Sequence, residues 1–187
     1  MRFCGIQMTP SNKKEIVLVL GGARSGKSSW ALKYTEKSYD SYMFLATAEV
    51  MDDEMTDRVR LHKEDRGPQW KLREEPLAIA DVLKTDCEGV DAVLIDCMTI
   101  WLSNVLLQKG EERVPSYQNA LLEALARSAQ SVVVVSNEVG SGIVPEHPLG
   151  RLYRDLAGSL NQKLAAAADK VVLSVAGLPL YLKQPPS

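Results

Sequence analysis

Five short apolar runs punctuate the chain: "EIVLVLGG" (15–22), "SYMFLATAEV" (41–50), "DAVLIDC" (91–97), "SVVVVSNE" (131–138) and "KVVLSVAG" (170–177). Near-continuous apolar, β-branched character over so few residues predicts strands buried on both faces. Between them the pattern turns helical. Helices are predicted over 26–37, over the polar stretch 52–66 ended by Gly67-Pro68, from Pro76 to about Lys84, over 99–108, over 116–129 and over 150–168. In the 116–129 segment Leu121, Leu122, Leu125 and Ala129 fall on one face. "QWKLREEP" (69–76) reads as a short extended piece and "LPLYLK" (178–183) as a further short strand, while 139–150 is a Gly/Pro-rich loop of the kind that carries function. Strands alternating with helices predict an α/β fold with a mainly parallel sheet flanked by helices. One domain is expected over 15–187, after a poorly ordered extension at 1–14.

Composition narrows the class. A formal charge of −2 over 187 residues, with no basic stripe, argues against nucleic acid as a partner. No apolar run approaches the ~18–20 residues that span a bilayer, so no membrane span is expected. The start "MRFCGIQMTPSNKKE" has no sustained apolar core of a secretory signal. Cys4, Cys87 and Cys97 form no regular framework, which suits a reducing compartment. A cytoplasmic enzyme is the expectation.

The first strand carries the chemistry. "GGARSGKS" comprises Gly21, Gly22, Ala23, Arg24, Ser25, Gly26, Lys27 and Ser28, and fits G-x-x-x-x-G-K-[ST]. It follows a buried strand and opens a helix, which is the context that gives this pattern meaning. Glycines let backbone N–H groups wrap a polyphosphate, and the helix N-terminus adds positive potential. Lys27 then reaches the outer phosphates and Ser28 ligates Mg²⁺. Asp96 ends the run "AVLID" as a second metal-anchoring carboxylate would; a strand-end turn aspartate is the bland alternative. Asp52, Asp53 and Glu54 read by default as an acidic first turn that complements the helix dipole. No N-K-x-D guanine signal is present, so this is no ordinary switch GTPase. The residues alone reach a single-domain P-loop NTPase-like enzyme of phosphoryl transfer or NTP hydrolysis, and no further.

His62 sits in "DDEMTDRVRLHKEDRG" (52–67). Met51, Met55, Val59 and His62 are spaced 4, 4 and 3 apart and share a helical face. On spacing alone a packed histidine is the better reading. His147, between prolines, reads as a loop residue. Arg151 and Arg154 read as a solvated face with a local pair to Asp155, or else as phosphate-neutralising groups. Trp70 and Trp101 read as packing anchors.

Seven motifs fall in one order: "GGARSGKS", "LATAEVMDDEM", "RVRLHKEDRG" followed by Trp70, "EEPL", "VLIDCMTIWLSN", "SNEVGSGIVPE" and "RDLAGSLNQKLAAAAD". Together they resemble the bifunctional adenosylcobinamide kinase/adenosylcobinamide-phosphate guanylyltransferase family of cobalamin biosynthesis, over roughly residues 15–183. The resemblance implies two reactions. The aminopropanol hydroxyl of adenosylcobinamide is phosphorylated by ATP or GTP. GMP from GTP then passes through a guanylylated histidine to that phosphate, giving adenosylcobinamide-GDP and pyrophosphate. By matching, the histidine is His62. Ala46, Thr47 and Ala48 lie beside the nucleotide. Lys63, Glu64, Asp65 and Arg66 help hold GMP, and Glu74 or Glu75, together with Asp96, are further contacts. Corrinoid and nucleotides are the implied partners, in a homotrimer.

A neutral imidazole suits such a carrier, because it is both a nucleophile and a leaving group near neutral pH. Two other readings stay open on the residues alone. One is a P-loop kinase of small molecules without the covalent step. The other is an oligomeric P-loop ATPase acting on a macromolecular partner.

Overall fold

The computed structural model of the protein describes residues 14–48 and 69–184. The apolar runs form the strands. β1 (Ile16–Gly21), β2 (Tyr42–Ala46), β4 (Ala92–Asp96), β5 (Ser131–Asn137) and β6 (Lys170–Val175) are each largely sealed from water. The polar piece β3 (Trp70–Glu74) and the C-terminal β7 (Leu178–Lys183) are mostly exposed and form the two edges. The sheet runs β3-β2-β4-β5-β1-β6-β7. Every pairing is parallel except β6 with β7, which is antiparallel. Parallel neighbours need helical crossovers, and the chain supplies them: α1 (Lys27–Ser38), α2 (Ile79–Thr85), α3 (Met98–Lys109), α4 (Val114–Arg127) and α5 (Pro148–Ala167).

Alternation along the strands divides the core in two. Ile16, Leu18, Val93, Ile95, Val132 and Val134 face α2 to α5. Val17, Val19, Leu94, Val133 and Val135 face the other way, onto α1. Thus the helix after β1 lies on one face of the sheet and the helix after its neighbour β5 lies on the other. Such a reversal opens a crevice at the carboxyl ends of the two strands, where open α/β sheets bind ligands. At the opposite end of β1, Glu15 gathers the hydroxyls of Tyr34 and Tyr39 and the ammonium of Lys170. Burial pushes both phenols well above their ordinary range.

Trp101 is buried and its Nε1 donates to Leu77 O, while Trp70 packs at a tilt against Tyr42 and edges onto Phe44, so both tryptophans are packing anchors. Several boundaries differ from expectation, and three of them bear on packing. β2 ends at Ala46, because the Thr47 hydroxyl turns to the Cys97 backbone. α2 starts at Ile79 rather than Pro76, because Glu75 Oε1 accepts from Leu77 N and Ala78 N and holds a turn ahead of the helix. α4 stops at Arg127, so Ala129 lies past the helix and is exposed, off the face shared by Leu121 and Leu125. The helix expected over 52–66 lies outside the described residues.

Candidate active site

The crevice is built at the carboxyl ends of β1, β5 and β4. Gly21 closes β1, and Gly26 takes φ +88°, a conformation that favours glycine, just before α1 begins at Lys27. Gly22, Ala23 and Arg24 are exposed, Ser25 is buried, and Lys27 and Ser28 are half-buried on the first turn of α1. The Lys27 ammonium folds back on the loop and donates to Gly22 O at 3.1 Å.

The loop is gripped from one side. Ser25 O accepts two hydrogen bonds, from Ser174 Oγ at 2.8 Å and from Gly177 N at 2.9 Å. A Cβ on Gly26 would stand 3.0 Å from Gly177 Cα, and one on Gly21 would stand 2.7 Å from Ser174 O. The turn joining β6 to β7, with positive φ at Ala176 and Gly177, therefore seats directly against the loop. In a trans peptide the C=O and N–H point opposite ways. Pinning Ser25 O toward the turn directs Gly26 N–H away from it, into the cradle.

On the other side stand β4 and β2. Ala46 lies in register with both Asp96 and Glu74. Asp96 is half-buried and alternates onto the face that carries α1, as Leu94 does. Thr47 is buried, and its hydroxyl exchanges 2.8 Å hydrogen bonds with the backbone of Cys97. Asn104 Nδ2 donates to Thr47 O at 2.9 Å and to Pro76 O at 3.2 Å. These bonds tie the ends of β2 and β4 to the segment after β3. Cys97 is buried and its thiol is pushed up by burial, with the Asp96 charge adding to the shift and Lys27 opposing it. That keeps it protonated and unsuited to nucleophilic work.

The structure places Gly21 to Ser28, Asp96, Ala46 to Ala48 and Glu74 to Glu75 along one edge of the sheet, at or just past the carboxyl ends of β1, β4, β2 and β3. Glu75 spends Oε1 on the turn before α2. His62, Lys63, Glu64, Asp65 and Arg66 lie outside the described residues, as does the face shared by Met51, Met55 and Val59. Arg151 donates to Pro145 O and Glu146 O, and Arg154 pairs with Asp155 at 3.1 Å, which fits the local reading of both. His147 is exposed just ahead of α5.

Several residues of the site escaped sequence reasoning. Ser174 is a lone polar residue inside "VVLSV", and that interruption was the only signal it gave. Asn104 and Asn137 lay inside quoted motifs, yet no individual role was read for them. Asn161 Nδ2 holds Asn137 O at 3.0 Å, Ser136 Oγ donates to Asn161 Oδ1, and Glu138 N donates to Gly21 O at 3.0 Å.

Comparison with known proteins fits this geometry. A family model described as cobinamide kinase / cobinamide phosphate guanyltransferase matches residues 17–182. The chain is 42% identical over 169 residues to the bifunctional adenosylcobalamin biosynthesis protein CobP of Pseudomonas aeruginosa, covering 90% of this chain and 98% of that one. It is 38% identical over 181 residues to the corresponding CobU of Salmonella typhimurium, covering 90% and 99%. Among solved structures it is similar in fold to the RadB recombinase, with TM-score 0.52 at 13% identity over 85% of this chain and 73% of that one. It is likewise similar to the ATPase EscN of an enteropathogenic E. coli type III secretion system, with TM-score 0.53 at 14% identity over 87% and 43%. These structures share the P-loop NTPase-like fold, while the sequence match over nearly the whole chain is specific. The chain belongs to the cobinamide kinase / cobinamide phosphate guanyltransferase family.

Proposed function

We propose that this protein phosphorylates the aminopropanol hydroxyl of adenosylcobinamide with ATP or GTP, and then joins GMP from GTP to the new phosphate. The observation that carries the reading is a phosphate loop at a sheet crevice, in a chain matched from residue 17 to 182 by a family described by these two reactions.

In the first step the alcohol oxygen bonds to the γ-phosphorus, the bond from that phosphorus to the bridging oxygen breaks, and the nucleoside diphosphate leaves with the electron pair. The alcohol proton passes to water. Lys27 and the loop N–H groups hold the triphosphate and offset charge as it shifts to the leaving group. Ser28 and Asp96 are the protein donors we assign to Mg²⁺. One hydroxyl and one carboxylate suit an ion that keeps most of its waters and takes its other ligands from phosphates. When bound, it offsets triphosphate charge.

In the second step a neutral His62 nitrogen bonds to the α-phosphorus of GTP and pyrophosphate leaves. A phosphate oxygen of the corrinoid then bonds to that phosphorus, and the imidazole leaves with its electron pair. Ala46, Thr47, Ala48, Lys63, Glu64, Asp65, Arg66 and Glu74 are our nucleotide contacts. Glu75, whose Oε1 closes the turn before α2, is the alternative to Glu74. GTP labelled at its α-phosphate should leave acid-labile, base-stable label on the wild-type protein. His62→Ala should lose the label and the guanylyl product while still phosphorylating the corrinoid. A labelled His62→Ala protein would rule this carrier out.

The same reading makes the protein a cytoplasmic homotrimer. Among the described residues no helix is long and apolar enough to cross a membrane. The exposed apolar strand β7 offers a surface for subunit contact.

A further inference from the structure

The groups at the end of β5 account for their hydrogen bonds one by one, with a single exception. Ser136 Oγ is spent on Asn161, Asn137 O receives Asn161 Nδ2, Glu138 N is given to Gly21 O, and Glu138 Oε1 receives Gly140 N. The exception is the Asn137 side chain. Its Oδ1 is buried and has no hydrogen-bond partner among the described residues. Folding leaves few buried acceptors unpaired, since sealing one from water without a donor is costly. Asn137 Oδ1 shares this state with Ser25 Oγ, Ser38 Oγ and Gln118 Nε2, and its place in the fold is what sets it apart.

Its position says what it serves. Asn137 pairs in register with Gly21, the first residue of the phosphate loop. It alternates onto the face that carries α1, two residues beyond Val135, the register partner of Asp96. β5 thus puts Asn137 between the two strand ends that carry Lys27's loop and Asp96. The Lys27 ammonium rests at this same strand end, bonded to Gly22 O, the residue after Asn137's register partner Gly21. It carries three donors, of which one is directed at Gly22 O.

We infer that Asn137 is a positioning residue of the kinase step, its Oδ1 taking a hydrogen bond from Lys27 when a triphosphate draws that ammonium off Gly22 O. The inference rests on reading the phosphate loop as the kinase site. It explains why an acceptor is held in reserve. Lys27 would be steered from two sides, by phosphate oxygens above and by the carboxamide below, so its charge stays on the phosphorus being transferred.

The test is a double-mutant cycle on single-turnover phosphoryl transfer to adenosylcobinamide from γ-labelled ATP. Asn137→Leu keeps the side-chain size and removes the acceptor. It should slow transfer about tenfold or more, change the ATP Kd by less than about threefold, and leave the unliganded melting temperature unchanged or raised. In a Lys27→Ala background the same change should alter the residual rate by less than about twofold. Asn137→Ala should follow the same pattern. Equal losses in both backgrounds, or transfer by Asn137→Leu within about threefold of wild type, would overturn the assignment. A wild-type protein that transfers no phosphate at all would sink the kinase reading itself, and the inference with it.

Discussion

Tyr153 shows how a single side chain sets a pH limit. Its hydroxyl donates to Thr99 O at 2.9 Å on α3, and burial pushes its pKa from the ordinary 10 up to about 12. A folded-state pKa above the unfolded value means that the fold prefers the neutral phenol. The stabilisation is complete below pH 10 and is lost as pH climbs through about 12. Tyr34 and Tyr39 are pushed in the same direction, chiefly by burial. Urea unfolding followed from pH 8 to 12 should therefore show stability falling only on the alkaline side. Tyr153→Phe should flatten part of that fall; an unchanged alkaline slope in the variant would contradict this account. The residue scale is also where the sequence was hardest to read. Lys27 and Ser28 are legible because their motif is contiguous and stands between a strand and a helix. Asn137 is not, because its partner Gly21 is distant in the chain and nothing local marks the pairing.

The hairpin of β6 and β7 is the element that most alters the site. The end of β6 and the turn after it each supply one donor to Ser25 O. Ser174→Ala removes one of them and leaves Gly177 N–H in place. The net cost of such a bond is about 1 kcal/mol, which corresponds to roughly fivefold weaker triphosphate binding. Direct binding titrations with ATP and with GMP separate this from general damage: ATP affinity should fall several-fold, and GMP affinity less. Equal losses for both nucleotides would mean that the turn does not orient the loop. The strands of this hairpin were legible from "KVVLSVAG" and "LPLYLK", because apolar runs report burial and β-propensity locally. Its antiparallel course and its seat on the phosphate loop were not, since both depend on which strand ends meet. β2 and α2 carry a smaller version of the lesson. Their ends were misjudged where side chains, Thr47 and Glu75, compete for backbone groups.

At the scale of the molecule, alternating strands and helices predicted a mainly parallel α/β sheet, which is what forms. The order β3-β2-β4-β5-β1-β6-β7 was beyond local pattern, because β1 finds both its neighbours in the last third of the chain. The outer edge raises a question of assembly. β7 leaves Leu178 71%, Leu180 55% and Leu182 56% exposed. An unpaired apolar edge is a surface that proteins ordinarily cover or blunt. Light scattering after size exclusion should find three copies, and Leu178→Glu with Leu182→Glu should shift the population toward smaller species. A wild-type monomer at micromolar concentration would reject the homotrimer.

The grip of the β6–β7 turn on the phosphate loop also bears on how the protein comes to life during synthesis. Residues 21–28 leave the ribosome early, but the groups that orient their peptides, Ser174 and Gly177, emerge only after all the intervening strands and helices. A nascent chain can carry the whole nucleotide motif and still lack the means to aim it. Competence to bind triphosphate would then appear late and abruptly, once β6 has docked on β1 and the chain has turned back on itself. Translation arrested before residue 174 should yield chains that hold nucleotide poorly, which would make the β6–β7 hairpin a timer on activity.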